Sequence, residues 1–212
     1  MAGCGGTQKA DDTLPAPRAI FVGALGDSIT AGSPGYDPDR VQRRLLGFGD
    51  NRSSQWEYWA QRADPRLVLR NCGVYGERTD QIALRLEDCA RNVHVLVIQG
   101  GINDIAQGVP VQKAAANLRG MVEHAKRLGL EVLLADLLPW NNGYPAADPK
   151  IRRLNGLIHE LGREEHVTVL PFYRTLEDPS RPGRMPERLT ADGDHPSIEG
   201  YRLLGEQAFR LP

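Results

Sequence analysis

Short apolar runs that alternate with amphipathic stretches constrain the fold of this chain more than any other feature of its sequence. Five runs rich in Val, Leu and Ile have the length of buried strands, and they lie at residues 19–25, 67–72, 93–98, 130–134 and 166–170. Helical segments are predicted at residues 55–61, 79–90, 111–128, 149–163 and 196–209. The alternation predicts an α/β protein whose parallel sheet is covered by helices on both faces.

The length of 212 residues favours a single domain, expected over residues 18–212. Residues 1–17 are rich in Gly, Asp and Pro and lack apolar periodicity, so they are expected to form a disordered leader. Residues 2–5, Ala-Gly-Cys-Gly, resemble the end of a bacterial lipoprotein signal. Two alternatives for localisation therefore stay open: a cytoplasmic protein as encoded, and an exported, lipid-anchored one.

Charge, hydropathy and cysteine content exclude several classes of partner. The formal net charge is −1, so electrostatic binding to nucleic acid or to a membrane surface is not expected. No apolar run approaches the ~20 residues that a transmembrane helix needs. Three cysteines are too few and too scattered for a disulfide framework or a metal site, and Cys72 and Cys89 are expected to be buried thiols.

Ser28 stands in the sequence Gly-Asp-Ser-Ile-Thr, at residues 26–30, directly after the first predicted strand. Ligand and active sites of open α/β sheets form at the carboxyl edge of the strands, where this hydroxyl would lie. Because a serine hydroxyl is a poor nucleophile without a base, the segment predicts partners elsewhere in the chain. Taken alone, Asp27 and Ser28 fit equally well a turn that caps a helix.

Three other segments are expected to meet Ser28 at the same edge of the sheet. Residues 73–78 and 100–104 follow the second and third strands, and residues 192–196 precede the last helix. Together they supply glycine amides, a side-chain amide, a carboxylate and an imidazole. These are the groups needed to attack a carbonyl carbon and to hold the resulting oxyanion.

Asp192 and His195 lie three residues apart, so the carboxylate can accept a hydrogen bond from one ring nitrogen while the other faces a hydroxyl. The remaining histidines are interpreted as surface groups or as satisfied core groups: His94, His124, His159 and His166. No metal and no cofactor is expected, because the chain has no His-Glu-x-x-His spacing and no glycine-rich phosphate loop.

Four segments, in this order, resemble the four sequence blocks of the SGNH hydrolase superfamily, also called GDSL esterases and lipases. They are Gly-Asp-Ser-Ile-Thr at 26–30, Asn-Cys-Gly-Val-Tyr-Gly at 71–76, Gly-Ile-Asn-Asp at 101–104 and Asp-Gly-Asp-His-Pro at 192–196. The resemblance covers roughly residues 19–209 and implies a flavodoxin-like, three-layer α/β/α sandwich with a five-stranded parallel sheet. The Gly-x-Ser-x-Gly elbow of α/β-hydrolases is absent, because residue 30 is Thr.

The resemblance also implies a catalytic triad. Ser28 would be the nucleophile, His195 the general base and then the general acid, and Asp192 the group that orients the imidazole. Three further aspartates are expected to be structural hydrogen-bonding groups rather than catalysts: Asp27, Asp104 and Asp194.

The implied oxyanion hole consists of the backbone amides of Ser28 and Gly76 and the side-chain amide of Asn103. Gly73 competes with Gly76 for this role. Gly76 is preferred by its register in the second block, and Gly73 is interpreted as a glycine needed for chain direction.

The expected function is hydrolysis of a small-molecule carboxylic ester, with a short acyl group because the sequence suggests no broad lipid-docking surface. The alternatives are a carbohydrate O-acetyl esterase, a thioesterase or lysophospholipase, and, more remotely, a non-catalytic binding module on the same fold. Four aromatic residues would stack on sugars if they lined the cleft: Tyr36, Trp56, Tyr58 and Trp140. The long segment 33–53 leaves the shape of the pocket open, and the sequence does not indicate an oligomeric state.

Overall fold

The computed structural model describes residues 18–211, so the predicted leader at 1–17 lies outside the described residues. Its centre is a sheet of five parallel strands in the order β2-β1-β3-β4-β5. The strands are β1 (Ile20–Gly26), β2 (Leu67–Gly73), β3 (Val95–Ile98), β4 (Glu131–Ala135) and β5 (Thr168–Leu170). This strand order is that of flavodoxin-like folds, so the predicted α/β class and topology are confirmed.

Ten α-helices occur within residues 18–211. They are α1 (Ser28–Ala31), α2 (Arg40–Leu46), α3 (Trp56–Ala63), α4 (Thr79–Ala83), α5 (Leu86–Ala90), α6 (Ile102–Ala106), α7 (Val111–Arg127), α8 (Asp148–Glu165), α9 (Phe172–Leu176) and α10 (Ile198–Leu203). A π-helical turn, Leu204–Ala208, continues α10.

Two hydrophobic cores, one on each face of the sheet, account for the three layers. On one face α4, α5, α7 and α8 cover side chains of alternate strand positions, among them Leu25 and Ile98. On the other face α3, α9 and α10 cover the intervening positions, among them Val22 and Val97. All of β3 is buried because it is covered from both sides, which is why its sequence is a continuous apolar run.

The strand register gathers three chain segments at one edge. Gly26 of β1 lies opposite Gly73 of β2, and Leu25 lies opposite Ile98 of β3. The segments that follow these three strands therefore leave the sheet side by side. The boundary between β1 and β3 is the point where the direction of strand succession reverses, which is where doubly wound sheets form their binding crevice.

Several predicted elements differ from the observed ones. The helix expected over 79–90 is broken into α4 and α5, because Arg85 leaves helical geometry (φ −102°, ψ 3°) and its side chain turns back to the sheet. The long irregular segment after α1 contains α2, a helix without buried residues. Residues 171–190, for which no helix is predicted, contain α9, whose Phe172 is fully buried.

The prediction that Cys72 and Cys89 are buried thiols was wrong, because they form a disulfide. Cys72 is at the end of β2 and Cys89 is in α5, with 6.0 Å between their Cα atoms. That separation is within the range in which a disulfide closes. The packing of α5 against the sheet creates this proximity, which the spacing of 17 residues does not reveal.

No helix within residues 18–211 is both long enough and apolar enough to cross a membrane.

Candidate active site

Ser28 is held at the carboxyl edge of the sheet by a sharp turn from β1 into α1. Asp27 is the N-cap of this helix, and its carboxylate accepts a hydrogen bond from the Ile29 amide at 2.9 Å. The helix cap and the nucleophile, the two alternatives for this segment, are thus parts of one turn. Thr30 anchors the turn to the adjacent strand end through a 2.8 Å hydrogen bond to Gln99.

The turn at residues 190–196 brings Asp192 and His195 together. The Asp192 Oδ1 atom accepts hydrogen bonds from the backbone amides of Asp194 and His195, at 2.9 and 2.8 Å. Gly193 has φ 89°, a left-handed conformation that suits glycine. The hydroxyl of Thr190 accepts from the Gly193 amide and donates to the His195 carbonyl, which closes the turn.

The three predicted triad residues form one hydrogen-bonded series. Ser28 Oγ lies 3.0 Å from His195 Nε2, and His195 Nδ1 lies 2.8 Å from Asp192 Oδ2. A carboxylate only accepts, so Nδ1 carries the proton and Nε2 is left to accept from the serine hydroxyl. Ser28 is 4% exposed and His195 is 9% exposed, so little water competes for these bonds.

Asp192 stays ionised over the range in which proteins are folded. Partial burial opposes ionisation, but the hydrogen bond and the charge of the His195 ring, together with two backbone amides, outweigh it and lower the pKa of Asp192 to about 2. The negative charge of Asp192 therefore lies beside the imidazole of His195 and favours its protonated form.

Gly76 and Asn103 line the same pocket as Ser28 and His195. The Asn103 Nδ2 atom donates to the Glu77 carbonyl at 2.9 Å, which fixes the orientation of the amide and leaves its second N–H free to point elsewhere. Gly76 has φ 77°. The Gly73 amide instead donates to the Asn71 side chain, and Gly73 does not line the pocket.

The pocket at Ser28 has a volume of about 210 Å³. Its walls combine the predicted site residues with apolar side chains, which are Ile29, Tyr75, Ile102, Ala106 and Trp140. A separate recess of about 10 Å³ shares Ile29 and Trp140 with this pocket and is also lined by Leu137, Leu138 and Pro139.

Of the four aromatic residues considered for sugar stacking, only Trp140 lines this pocket, where its indole donates to Asp194 at 2.6 Å. Trp56 is fully buried in the core. Tyr36 packs against the Arg43 guanidinium, and Tyr58 packs against Trp59.

The sequence prediction missed Tyr75. Its ring stacks on that of His195, with 6.2 Å between the centroids, and contacts Phe48 of the long segment 33–53 edge-on at 5.0 Å. Tyr75 lies in the second sequence block, directly before Gly76, but only the fold brings it over the imidazole.

Two of the three remaining aspartates are visibly structural. Asp104 accepts from both the amide and the hydroxyl of Thr79, at 2.9 and 2.7 Å, and thereby holds the start of α4. Asp194 accepts from Trp140, as described above. Within residues 18–211, neither carboxylate forms a hydrogen bond with the side chain of Ser28 or of His195.

Asp27 behaves differently, because it is completely buried and burial raises its pKa to about 6. Its folded pKa exceeds the unfolded value, so the cost of ionising it in the folded protein is absent below about pH 4 and complete above about pH 6. We expect Asp27→Asn to raise the free energy of unfolding relative to wild type increasingly over this window, by at most about 3 kcal/mol. Urea denaturation across this pH range measures it.

The exposed aspartate Asp39 caps α2 through the same bond to the second following amide, here Val41. Asp39→Asn is therefore the matched variant that reports the exchange of the cap itself. A difference between wild type and Asp27→Asn that is constant over the pH range would contradict the assigned shift.

Within residues 18–211, no group of three or more His, Cys, Asp and Glu side chains is arranged to hold a metal ion. The other histidines each have a local role. His94 accepts from the Phe21 amide, His124 and His159 pair with Glu87 and Asp136, and His166 ends α8 in a left-handed conformation.

A flavodoxin-like α/β/α sandwich with a Ser-His-Asp series at the β1–β3 edge defines the SGNH class of hydrolases. The model of the GDSL-like Lipase/Acylhydrolase family matches residues 24–203, and the chain belongs to this family.

Several solved structures share the fold of this chain. A member of the lipolytic protein G-D-S-L family from Veillonella parvula is 20% identical, with coverage of 88% of this chain and 94% of that one and a TM-score of 0.71. A lipase/acylhydrolase from Enterococcus faecalis is 24% identical, with coverages of 88% and 91% and a TM-score of 0.69. Axe2, an acetylxylan esterase from Geobacillus stearothermophilus, is 19% identical, with coverages of 89% and 91% and a TM-score of 0.67. The search of curated protein sequences gives no match.

Proposed function

We propose that this chain is a serine esterase that hydrolyses carboxylic esters with short acyl groups through an acyl-enzyme. The observation that carries the proposal is the unbroken series Ser28 Oγ–His195–Asp192, which opens on a pocket that Gly76 and Asn103 also line. A hydroxyl, its base and the donors for an oxyanion thus face one space of a size for a small ester.

In the acylation step Ser28 Oγ attacks the ester carbonyl carbon and its proton passes to His195 Nε2. The carbonyl oxygen becomes an oxyanion, which accepts hydrogen bonds from the amides of Ser28 and Gly76 and from Asn103 Nδ2. Asp192 stabilises the imidazolium. The tetrahedral intermediate collapses, the bond to the alcohol oxygen breaks, and His195 donates its proton to the departing alcohol.

In the deacylation step a water molecule takes the place of the alcohol. His195 Nε2 accepts a proton from this water as its oxygen attacks the acyl carbon, and the same three donors hold the second oxyanion. When the Ser28 ester bond breaks, the proton returns to Ser28 Oγ and the carboxylic acid leaves.

The short acyl group is inferred from the recess that shares Ile29 and Trp140 with the pocket. At about 10 Å³ it accommodates a group close to the size of one water molecule, such as a methyl group. Leu137 and Leu138, which line it, are buried in the core, so this side of the recess is bounded by packed side chains.

Carbohydrate O-deacetylation is the second candidate, favoured by one observation. The indole of Trp140 forms a wall of the pocket and is fixed by its hydrogen bond to Asp194, as a sugar-stacking side chain would need to be. An acetylxylan esterase from Geobacillus stearothermophilus has the same fold. At 19% identity this likeness indicates the fold alone. Thioester and lysophospholipid hydrolysis need other leaving groups or longer acyl chains.

The substrate proposal is tested by kcat/KM for p-nitrophenyl esters of increasing acyl length, beside a panel of acetylated sugars. We expect the acetyl ester to be the best of the series, because longer chains do not fit the recess. A preference for esters of ten carbons or more contradicts the proposal, and a higher kcat/KM for acetylated sugars favours the second candidate. Absence of both hydrolysis and covalent labelling by a fluorophosphonate would indicate a binding module.

Replacing Asn103 by Ala tests the anion site. We expect kcat to fall about 10²-fold, equivalent to ~3 kcal/mol, with little change in KM, because the amide binds the charge that develops in the transition state. Asn117→Ala is the matched control, since its amide also donates a hydrogen bond, to Thr79, but outside the pocket. Equal kcat values for the two variants contradict the assigned role of Asn103.

A further inference from the structure

The guanidinium of Arg85, at the break between α4 and α5, joins the segments that end two adjacent strands. It donates to the Gly26 carbonyl at 3.0 Å and to the Cys72 carbonyl at 2.6 Å. It also binds the Glu77 carboxylate through Nε at 2.9 Å and Nη2 at 2.6 Å. One side chain thus contacts the last residue of β1, the end of β2 and the turn that follows β2.

Two of these partners lie within two residues of a proposed oxyanion donor. Gly26 is two residues before Ser28, and Glu77 directly follows Gly76. The Glu77 carbonyl accepts the bond that orients the Asn103 amide. The Glu77 carboxylate therefore connects Arg85 to the neighbouring Gly76, and the Glu77 carbonyl connects it to the Asn103 amide. The Gly26 carbonyl connects Arg85 to the segment that carries Ser28.

We propose that Arg85 is a positioning residue that sets the mutual placement of the three oxyanion donors, Ser28, Gly76 and Asn103. The inference rests on the proposed function. Arg85 does not line the pocket, so it acts through Gly26 and Glu77 and not on the substrate.

The chemistry of the side chain suits this task. A guanidinium is planar, remains charged and holds its N–H groups in a fixed fork, so it can bind two carbonyls and a carboxylate at set angles. The Arg85 side chain is 26% exposed and that of Glu77 is 18% exposed, so the pair is shielded from most of the solvent. A lysine ammonium lacks this fork and cannot satisfy the same partners in one geometry.

Arg70, on the edge strand β2, provides a matched control. Its guanidinium also donates to backbone carbonyls, those of Asp88, Cys89 and Arg91. These carbonyls lie at the far end of α5 and none belongs to a segment of the site. A general loss of strand-to-helix anchoring should therefore affect Arg70 and Arg85 variants alike.

The test compares Arg85→Gln, Arg85→Lys and Arg70→Gln in ester hydrolysis and in backbone hydrogen exchange. For Arg85→Gln we expect kcat to fall ~10²-fold with KM changed less than about threefold, because displaced donors weaken transition-state binding without altering the apolar walls. Arg85→Lys should recover only part of this loss. Added guanidinium should raise kcat of Arg85→Ala but not of Asn103→Ala.

Hydrogen exchange gives a readout that does not depend on turnover. We expect faster exchange in Arg85→Gln at residues 26–30 and 73–78 only. A kcat close to wild type, an equal loss in Arg70→Gln, or faster exchange throughout the sheet overturns the proposal. If the wild type hydrolyses no ester and Ser28 is not labelled by a fluorophosphonate, the proposed function fails. Unchanged exchange at the two segments then overturns the positioning role as well.

Discussion

Replacing Ser28 by Ala is expected to lower kcat/KM for a short-chain ester by at least ~10³-fold, while the fold is retained. The hydroxyl is the only group in the proposed mechanism that bonds covalently to the acyl carbon. Ala fits the same helix start, because the Asp27 cap bonds the Ile29 amide and not the Ser28 side chain. Initial rates with p-nitrophenyl acetate, together with circular dichroism of the variant, measure the effect.

Covalent labelling gives the same prediction a second readout. A fluorophosphonate should modify the wild type at Ser28 and leave Ser28→Ala unmodified, as seen by mass spectrometry of the tryptic peptides. Ser180→Ala is the matched control, since its hydroxyl bonds Asp178 in a loop away from the pocket. Undiminished turnover by Ser28→Ala would falsify the assignment of the nucleophile.

The second large effect is expected for Asp192→Asn, with a loss of ~10³-fold or more in kcat/KM. The Oδ1 atom of Asp192 accepts from two backbone amides, so the oxygen of the Asn side chain must occupy that place. The new amide NH₂ then faces His195 Nδ1 as a donor. The imidazole is forced to carry its proton on Nε2, where it can no longer accept one from Ser28.

Asp178→Asn is the control for this exchange. The Asp178 carboxylate likewise binds a backbone amide two residues on, and its pKa is also lowered to about 2, by hydrogen bonds from Ser180 and Arg181. Asp178 lies outside the pocket, so we expect the kcat/KM of Asp178→Asn to match that of the wild type. An Asp192→Asn variant that retains most of its activity would show that the carboxylate does not set the tautomer.

The strands, and the grouping of the segments that follow them at one edge of the sheet, could be predicted from the sequence because both depend on local patterns joined by a simple topological rule. A strand covered on both faces, such as β3, must be apolar throughout. Once the strands are parallel, the segments after β1 and β3 must meet at one edge. Ser28 and Asn103 thereby come together without any knowledge of the side-chain packing.

Features that depend on packing between distant segments could not be predicted in this way. Tyr75 stacks on His195, and Cys72 pairs with Cys89. Both contacts depend on the path of the chain after β2. The break at Arg85 is similar, because the 79–90 segment has helical periodicity and only the partners of the guanidinium show why it stops. Tertiary contacts here override local propensity.

The long segment 33–53 contains α2, a helix that the sequence pattern does not predict. The helix forms through local signals, a side-chain cap at Asp39 and a left-handed glycine at Gly47, and no residue of it is buried. Leu45 and Val41 are 73% and 62% exposed. Helices are recognised in a sequence by the apolar periodicity of their buried face. Because α2 has no buried residue, its sequence lacks this periodicity.

The disulfide between Cys72 and Cys89 has a consequence for the chemistry that the triad alone would not suggest. It closes a covalent ring of the backbone that contains Gly76, Glu77 and Arg85. Closing a ring of this size removes ~3 kcal/mol of conformational freedom from the unfolded chain. Such a bond persists in oxidising compartments and is reduced where thiols are kept free. The redox potential of the compartment therefore determines how rigidly this ring, with the proposed oxyanion donor Gly76 inside it, is held.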